Sequence, residues 1–498
     1  MSNQKETGPA QNDINDIIKA RRDKLSALTQ EGMSPYSIVK YDKTHFSEKI
    51  KQDFDALEGS KVAIAGRLMS KRVMGKASFA HVLDEQGTIQ IYAKRDTLGV
   101  EEYKAFKKLD IGDIVGVKGE VFKTHMGEIS VAADEITLLS KSLLPLPEKY
   151  HGLKDADLRY RQRYVDLIVN SEVRDVFVTR SKVIAAIRSY MNGAGYLEVE
   201  TPVLHNHSTN AGARPFRTHH NTLDIDMFLR VELELSLKRL IVGGFEKVYE
   251  IGRIFRNEGM SYKHNPEFTM LEFYEAYTDY KGMMSRVEEL IGYICDNVLG
   301  TRTVTYGEHE ITFGQEFDKM TMSQAVKKYT GVDFMSFIGD DKKAQEEAKK
   351  HDIHIEEEPT WGVILNEFFE QKVEEALIQP TIVYDYPIEI SPLAKKTPGS
   401  ELLTERFEIF VAGRELGNAF TELNDPIDQR ERFIQQAKLK LGDKDYTIDE
   451  DYVTALEYGL PPTGGLGVGV DRLVMLLTDT SSIRDVLLFP TMRPKEQV

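Results

Sequence analysis

Five short segments rich in β-branched and aromatic residues follow one another between residues 61 and 140, and they limit the possible folds of this chain more than any other feature. Glycines separate the segments, at Gly75, Gly87, Gly112 and Gly127. A helical pattern over residues 100–109 stands between the third segment and the fourth. Short β-rich runs bounded by turn residues predict strands, so we expect an all-β unit with one helix here.

Five strands with one intervening helix are the arrangement of an OB barrel, a fold that binds single-stranded nucleic acid on an exposed face. On such a face an aromatic side chain stacks on a base, and cations follow the phosphates. The candidate contacts with nucleic acid are Lys71, Arg72, Phe79, His81 and Gln90. A place in the barrel core is the alternative for Phe79, because phenylalanine is among the residues most often buried.

Charge is distributed unevenly along the chain. The 498 residues include 64 Lys plus Arg and 80 Asp plus Glu, which gives a net charge of −16. Residues 1–150 hold 23 Lys plus Arg and 22 Asp plus Glu, so the acidic excess lies in residues 151–498. Net charge alone argues against a nucleic-acid partner, since phosphate binding depends on Lys and Arg. The near-neutral N-terminal part removes that objection.

The cysteine content and the apolar runs indicate the compartment. Cys295 is the single cysteine of the sequence, so an internal disulfide is excluded and a reducing environment is favoured. Residues 1–6 contain no apolar segment typical of a secretion signal. No run approaches the roughly 18 apolar residues that a membrane-spanning helix needs. We therefore expect a cytoplasmic protein without membrane spans.

The segment from Val248 to Tyr274 has the pattern strand, polar loop, strand. The first strand would end at Arg256, and the chain would return antiparallel from Phe268 onward. Such a hairpin can direct Arg256 at a phosphate, because a guanidinium offers a rigid fork of donors to its oxygens. Phe268 can then cover a purine ring. A salt-bridged arginine and a core phenylalanine are the ordinary alternatives.

This hairpin resembles motif 2 of the class II aminoacyl-tRNA synthetases, in which Phe-Arg-x-Glu precedes a loop. Residues 183–202, a helix and an extended segment that ends in proline, resemble motif 1, which builds the dimer interface of that family. Residues 465–476, a glycine-rich strand followed by Arg472, resemble motif 3, whose arginine contacts ATP. Three motifs in this order are far more specific than one. An OB barrel ahead of them resembles subclass IIb, which comprises the lysyl, aspartyl and asparaginyl enzymes.

The resemblance implies an α+β protein. A five-stranded OB-fold β-barrel would precede a class II catalytic domain built on an antiparallel sheet flanked by helices. The expected domains are an N-terminal helical extension over residues 1–55, an anticodon-binding barrel over 56–145, and a catalytic domain over 146–498. A helical insertion is expected near residues 285–380. The motif 1 region implies a homodimer.

The choice of amino acid follows from charge. A lysine ammonium enclosed in a site needs carboxylates, whereas aspartate would need cations. Three segments, over residues 230–240, 269–274 and 417–425, are similar to the pocket segments of bacterial-type lysyl-tRNA synthetases. The resemblance therefore implies ATP-dependent activation of L-lysine and its transfer to tRNA(Lys). An aspartyl or asparaginyl enzyme and a non-catalytic tRNA-binding paralogue are the alternatives.

The same resemblance assigns the lysine contacts. Glu272 and Glu422 would hold the ε-ammonium, with Tyr274 beside them. Glu234 would hold the α-amino group. The contacts with the α-carboxylate are assigned to Arg256 and Asn418.

The ATP contacts are also implied by the resemblance. Arg256 would meet the α-phosphate, and Arg472 and His264 the outer phosphates. Phe268 would stack on adenine, and Glu258 would accept a hydrogen bond from its exocyclic amine. Arg256 and Arg472 are thus the residues expected to carry catalysis.

Glu408 and Glu415 are implied as ligands of Mg²⁺, whose preferred ligands are carboxylate oxygens. They lie seven residues apart, so one regular strand would place them on opposite faces. A turn at residues 412–413 between paired strands would bring both to one side. Exposed surface carboxylates are the alternative, because Asp and Glu are mostly exposed.

The chain departs from the family pattern at two places. Thr209-Asn210 stands where the family usually has two glycines, which puts a close backbone contact with the amino acid in doubt. Glu232-Leu233 stands where Ala and Pro or Thr are usual. Glu232 points to solvent or, if it lies near Glu234, alters the affinity for lysine.

Overall fold

The computed structural model describes residues 11–147, 155–206, 213–355, 359–439 and 448–495. The chain divides into two compact units, residues 1–154 and 155–498. This division falls a few residues after the expected boundary between barrel and catalytic domain. The finer expected bounds, at residue 55 and around the insertion at 285–380, stay predictions.

The N-terminal unit contains the expected barrel. Its strands are β1 (Lys61–Met74), β2 (Ala77–Leu83), β3 (Thr88–Lys94), β4 (Ile114–Lys123) and β5 (Ile129–Ser140). They close in the order β1-β2-β3-β5-β4. The helices of this unit are α1 (Gln11–Gln30), α2 (Ser47–Gln52), α3 (Phe54–Leu57), α4 (Arg95–Leu98) and α5 (Val100–Lys108). The prediction of five strands with a helix between the third and the fourth is confirmed.

Alternation of side chains explains the barrel. Along β2 every second residue is buried, and Ala80 and Val82 point to the interior with Ile89 and Ile91 of β3. The residues between them lie on the outer face, as expected for strands with one face on a core. This outer face is where a nucleic acid can be bound.

The second unit is built on a large mixed sheet. Its strands are β6 (Leu197–Glu198), β7 (Leu204–His205), β8 (Arg217–His220), β9 (Ile225–Leu229), β10 (Lys247–Phe255), β11 (Glu267–Ala276), β12 (Thr303–Tyr306), β13 (His309–Thr312), β14 (Asp318–Thr321), β15 (Thr381–Pro387), β16 (Leu403–Val411), β17 (Arg414–Thr421) and β18 (Thr463–Gly469). Eight of them form one sheet in the order β14-β15-β16-β17-β18-β11-β10-β6. The pairings at its two edges are parallel and the inner pairings are antiparallel. The expected antiparallel sheet is therefore present, with a parallel strand added at each edge.

Helices flank this sheet. They are α6 (Ala156–Arg161), α7 (Arg163–Val169), α8 (Ser171–Gly193), α9 (Glu234–Val242), α10 (Tyr280–Ile294), α11 (Met322–Thr330), α12 (Asp341–Lys350), α13 (Trp361–Lys372), α14 (Pro426–Leu439), α15 (Glu450–Glu457) and α16 (Val470–Leu477). Residues of α8, α10 and α16 share one hydrophobic core with the sheet. Helices α11 to α13 form a second core around Trp361 and Phe334.

The central strands of the sheet have two different faces. Leu271 and Phe273 of β11 and Leu466 and Val468 of β18 point into the main core. The alternate positions of β18 are glycines, and they pair with strands that carry polar side chains: Glu272 is opposite Gly467, which is in turn opposite Asn418. A glycine strand leaves space above the sheet, and the functional side chains of its neighbours border that space.

Candidate active site

The hairpin around Arg256 has the expected form. Strands β10 and β11 are antiparallel, and the Arg256 amide donates 2.8 Å to the Pro266 carbonyl at the base of the loop. The Arg256 Nε donates 3.3 Å to the carbonyl of Val231, and the guanidinium carbon lies 5.3 Å from the centroid of the Phe268 ring. The arginine is therefore held beside an aromatic face, with further donors available to a ligand.

A cavity of about 380 Å³ lies over the glycine strand. The expected site residues that line it are Glu234, Arg256, Glu258, His264, Phe268, Glu272, Tyr274, Glu415, Asn418 and Arg472. They come from the loop of the hairpin, its second strand β11, β17, α9 and α16. Residues far apart in sequence thus meet in one cavity, while Glu408 and Glu422 are not part of its wall.

One end of the cavity is strongly acidic. Glu272 is 5% exposed, and its carboxylate accepts hydrogen bonds of 3.3 Å from the Leu233 amide and from the Tyr274 hydroxyl. Burial, together with the charges of Glu232 and Glu234, raises the pKa of Glu272 to about 8. A bound cation stabilises the charged form of such a carboxyl, because the buried negative charge then has a partner.

Glu232 belongs to this acidic end and does not point away from it. Its side chain lines the cavity, and its Oε2 accepts a hydrogen bond of 3.1 Å from the Leu235 amide at the start of α9. Burial and the nearby Glu234 raise the pKa of Glu232 to about 7. The expectation that this residue points to solvent is wrong, because the turn into α9 directs it toward the other carboxylates.

Glu422 is buried next to the cavity and already contacts a cation of the chain. It is 1% exposed and forms an ion pair with Lys238, which also contacts Glu234 at 2.5 Å. Although burial lowers it, the charges of Glu234 and Glu422 raise the pKa of Lys238 well above its usual value. The Glu422 Oε1 has no hydrogen-bond partner among the described residues. Sequence reasoning missed Lys238, whose spacing of four residues from Glu234 on one helix was the available signal.

Asn418 is oriented by an arginine that the sequence analysis also missed. The Arg406 Nε donates 3.1 Å to Asn418 Oδ1, and Arg406 Nη2 donates 2.5 Å to Glu408 Oε1. Because the amide oxygen is occupied, the amide NH₂ of Asn418 is the group that can donate to a ligand. Alternation along β16 places Arg406 and Glu408 on one face, and this spacing could have predicted their contact from the sequence.

The other end of the cavity is cationic. Arg472 Nη1 donates to the Glu415 backbone carbonyl at 2.7 Å and to its carboxylate at 3.1 Å. His264 lies within 3.0 Å of the Ser261 hydroxyl, and burial and Arg472 lower the pKa of its imidazole. Glu258 is exposed at this end. The arrangement offers donors and positive charge to an anion.

Glu408 and Glu415 lie on adjacent strands, as the turn hypothesis requires. Ala412 and Gly413 have φ angles of 52° and 66°, the backbone of a tight hairpin turn between β16 and β17. Both carboxylates line a second cavity of about 540 Å³, shared with His264 and Arg472. Within the described residues there is no cluster of three or more potential metal ligands. Two carboxylates suit Mg²⁺, which keeps several waters and substrate oxygens in its shell.

The outer face of the barrel carries a row of aromatic rings. Phe79 lies 5.0 Å from Tyr92, which lies 5.9 Å from Phe122, measured between ring centroids. All three are half-buried, so Phe79 is not a core residue. Sequence reasoning missed Tyr92 and Phe122, although both occupy outward positions of their strands.

The polar residues of the barrel that are candidate contacts with nucleic acid have different surroundings. Lys71 donates 2.8 Å to the carbonyl of Lys107 and also contacts that of Leu109, both at the end of α5. His81 and Gln90 contact the same carboxylate, that of Glu128, at 3.1 and 2.7 Å. The remaining candidate, Arg72, is exposed. Lys71 is thus engaged by a helix end, whereas the other three border the aromatic row.

Helix α8, the motif 1 helix, is connected to the cavity by an ion pair. Arg180 binds Asp471, whose second oxygen accepts 2.7 Å from the Thr269 amide. Asp471 lines the cavity next to Arg472. Thr209-Asn210, where the sequence puts a backbone contact with the amino acid in doubt, lies outside the described residues.

An antiparallel sheet with a glycine strand, an arginine hairpin and a preceding OB barrel defines a class II aminoacyl-tRNA synthetase. The family model for class II tRNA synthetases (D, K and N) matches residues 155–493, and the model for the OB-fold nucleic acid binding domain matches residues 62–139. The chain belongs to this synthetase family.

Curated relatives are similar to the chain over nearly its whole length. The chain is 55% identical to the lysine–tRNA ligase of Bacillus subtilis (strain 168), over 97% of this chain and 98% of that protein. It is 56% identical to the lysine–tRNA ligase of Thermoanaerobacter sp. (strain X514), over 97% of each. No helix in the described ranges is both long enough and apolar enough to cross a membrane.

Proposed function

We propose that this chain is a lysine–tRNA ligase, which activates L-lysine with ATP and transfers it to the 3′ end of tRNA(Lys). The observation that carries the proposal is the acidic end of the cavity, where Glu232, Glu234 and Glu272 border one space beside Arg256. The family and the near full-length similarity to lysine–tRNA ligases support it.

The acidic end favours lysine over the substrates of the sister enzymes. A lysine substrate brings two ammonium groups to an acidic end whose raised pKa values mark a shortage of counter-charge around its carboxylates. Aspartate would bring a further negative charge among them, which costs several kcal/mol when buried. Asparagine, whose side chain is uncharged, would bring only its α-ammonium. Lysine is therefore the amino acid that this cavity selects.

In the first step the lysine carboxylate attacks the α-phosphorus of ATP, and pyrophosphate leaves. Arg256 and the Asn418 amide orient the carboxylate, and Arg256 stabilises the charge that develops on the α-phosphate. Phe268, beside Arg256, provides a surface for adenine, whose exocyclic amine can donate to Glu258. No nucleophilic side chain is required, because positioning and charge stabilisation supply the catalysis.

The departing pyrophosphate lies toward the cationic end. Arg472 and His264, which line both cavities, bind the outer phosphates in this proposal. Glu408 and Glu415, on the paired strands β16 and β17, would hold Mg²⁺. When bound, the ion would neutralise phosphate charge. The described hydrogen bonds of Arg472 to Glu415 use only its Nη1, so the other N–H groups of the guanidinium remain for phosphate.

In the second step the terminal ribose hydroxyl of tRNA attacks the carbonyl of lysyl-adenylate, and AMP leaves. The anticodon would bind on the outer face of the barrel, where Phe79 stacks on a base, Arg72 contacts phosphate, and His81 and Gln90 donate to base edges. Lys71 remains in this proposed set, although it must leave the end of α5 to make a contact.

The assembly and the compartment are also part of the proposal. A homodimer through α8 and the following segment is proposed from the motif 1 resemblance. Cys295 is buried, and burial raises the pKa of its thiol to about 12, so it is inert toward oxidation. A single buried thiol is suited to a reducing, cytoplasmic compartment.

The test is amino-acid-dependent exchange of pyrophosphate into ATP, with Mg²⁺ and the full-length protein. Lysine, aspartate, asparagine and ornithine are compared, and Glu422→Gln serves as the pocket variant. Exchange with lysine alone, reduced in the variant, supports adenylation in a carboxylate pocket. Exchange with aspartate refutes the substrate. Failure with every amino acid leaves only a tRNA-binding paralogue.

A further inference from the structure

Glu232 lines the same cavity as Glu234, Glu272 and Arg256, but the reaction proposed above gives it no role. Its Oε2 accepts from the Leu235 amide, so the side chain is fixed on the turn that leads into α9. Its pKa is raised by burial and by Glu234, which indicates that the surrounding side chains supply too little positive charge. A fixed carboxylate of this kind can bind a cationic group of a ligand.

The position of Arg256 indicates which cationic group Glu232 meets. The Arg256 Nε donates to the carbonyl of Val231, the residue directly before Glu232. If Arg256 binds the α-carboxylate of lysine, the ligand's α-carbon lies beside this segment. The α-ammonium is attached to the same carbon, so it is the cation that comes within reach of residues 231–234. The ε-ammonium lies farther away, beyond a chain of four methylene groups.

Glu234 alone supplies less than a full negative charge to the α-ammonium. Its Oε1 already contacts Lys238 at 2.5 Å, and Lys238 also contacts Glu422. A carboxylate that shares its charge with a buried ammonium attracts a second cation more weakly. The adjacent Glu232 forms no ion pair with a lysine among the described residues, so its carboxyl remains available to a cation of the ligand, which would displace its proton.

We propose that Glu232 binds the α-ammonium of the amino-acid substrate together with Glu234. The inference rests on the proposed function, since it takes lysine as that substrate. Glu232 would then favour ligands with a free α-ammonium, because a lysine analogue without the α-amino group would lose this contact.

The test uses Glu232→Gln in the full-length protein. Glutamine keeps the size of the side chain and an oxygen that can accept from the Leu235 amide, so only the charge is removed. Binding of lysine is compared with binding of 6-aminohexanoate, which has the carboxylate and the distal ammonium but no α-amino group. Isothermal calorimetry gives both Kd values, and wild-type pyrophosphate exchange with lysine is measured in parallel. Glu457→Gln, at an exposed position of α15, is the matched control.

We expect Glu232→Gln to raise the Kd for lysine by about tenfold, the weight of a charge-assisted hydrogen bond. The Kd for 6-aminohexanoate should stay within about twofold of wild type, and the Tm should be equal or higher because repulsion among carboxylates is relieved. A purely structural role would lower the Tm and weaken both ligands equally. Glu232→Asp, which keeps the charge, should bind lysine better than the Gln variant.

Three outcomes overturn the inference. A lysine Kd within twofold of wild type, in a wild type that exchanges with lysine, removes the role of Glu232 and leaves the proposed function intact. Equal weakening of both ligands assigns Glu232 to the distal ammonium or to the fold. A wild-type protein that neither binds nor activates lysine refutes the proposed function together with the inference.

Discussion

Replacing Gly465 by alanine should impair lysine recognition more than any other glycine change on β18. A Cβ atom at this position would lie 2.0 Å from Glu422 Oε1 and 2.4 Å from Tyr274 Cε1. Ordinary contacts of a Cβ begin near 3.4 Å, so these groups must move by about 1 Å or more. Neither can move outward easily, since Tyr274 is 3% exposed and Glu422 is 1% exposed.

The size of the expected loss of lysine binding follows from the cost of overpacking. Extra methyl groups in a close-packed region cost about 1–3 kcal/mol. If that strain falls on the geometry of Tyr274 and Glu422, lysine binding weakens by about 5- to 150-fold. The KM for ATP should change little, because Arg256, Phe268 and Arg472 are not displaced.

Two neighbouring glycines provide matched controls. The nearest atoms to a Cβ at Gly469 belong to Arg472, at 3.6 Å. A Cβ at Gly467 would lie 3.2 Å from the flexible end of Met270 and 3.4 Å from Glu272 Cγ, which is ordinary contact. None of the three glycines has a positive φ angle, so alanine is compatible with the backbone at each. The KM for lysine in pyrophosphate exchange should therefore rise in the order Gly469→Ala, Gly467→Ala, Gly465→Ala. A Gly465→Ala enzyme that is folded and has the same lysine KM as Gly469→Ala would refute the reasoning.

Three further measurements test the site and the barrel. Because the pKa of Glu272 is raised to about 8, this carboxyl is mostly protonated at pH 7, and lysine binding should release its proton; lysine affinity should rise up to about tenfold per pH unit below pH 8. Calorimetry in buffers of different ionisation enthalpy measures the number of protons released. A lysine affinity that does not change between about pH 6.5 and 8 contradicts the proposed proton release. Lys238→Met should lower the free energy of unfolding in urea by about 3–5 kcal/mol, since Glu422 loses its buried counter-ion; a loss under about 1 kcal/mol would mean that the ion pair stabilises nothing. Phe79→Ala should lower kcat/KM for tRNA, because the loss of one stacking contact costs about 1–3 kcal/mol, and it should leave lysine-dependent pyrophosphate exchange unchanged. Equal losses in both assays would argue against a role of Phe79 in tRNA binding.

Local patterns in the sequence predicted much of the architecture. Alternating residues and glycine turns identified the barrel strands, and the strand-loop-strand pattern identified the hairpin that carries Arg256. The turn at residues 412–413 followed from the need to place Glu408 and Glu415 on one side. These features depend on residues that are close in sequence, where period and turn chemistry determine structure.

The surroundings of the charged side chains could not be predicted in the same way. Lys238 and Glu422 are 184 positions apart and meet only in the folded unit, where α9 packs on β10 and β11 and Lys238 reaches the residue that follows β17. Lys71 is a candidate contact with nucleic acid in the sequence, but its ammonium lies at the end of α5, where carbonyl groups without helical partners accept its hydrogen bonds. Glu232 is directed inward by a turn whose geometry its sequence does not reveal.

The internal Lys238 helps to explain how so many carboxylates can lie in and beside one cavity. Its buried ammonium contacts Glu234 and Glu422, and Glu232 and Glu272 line the cavity together with Glu234. Their mutual repulsion is relieved in part by protonation, since the pKa values of Glu232 and Glu272 are raised to about 7 and about 8. In the proposed reaction a lysine substrate would replace those protons with two ammonium groups, so recognition would exchange protons for cations of fixed spacing. An amino acid with one ammonium group can replace only part of that charge, and selection against it follows from the charges that remain unpaired.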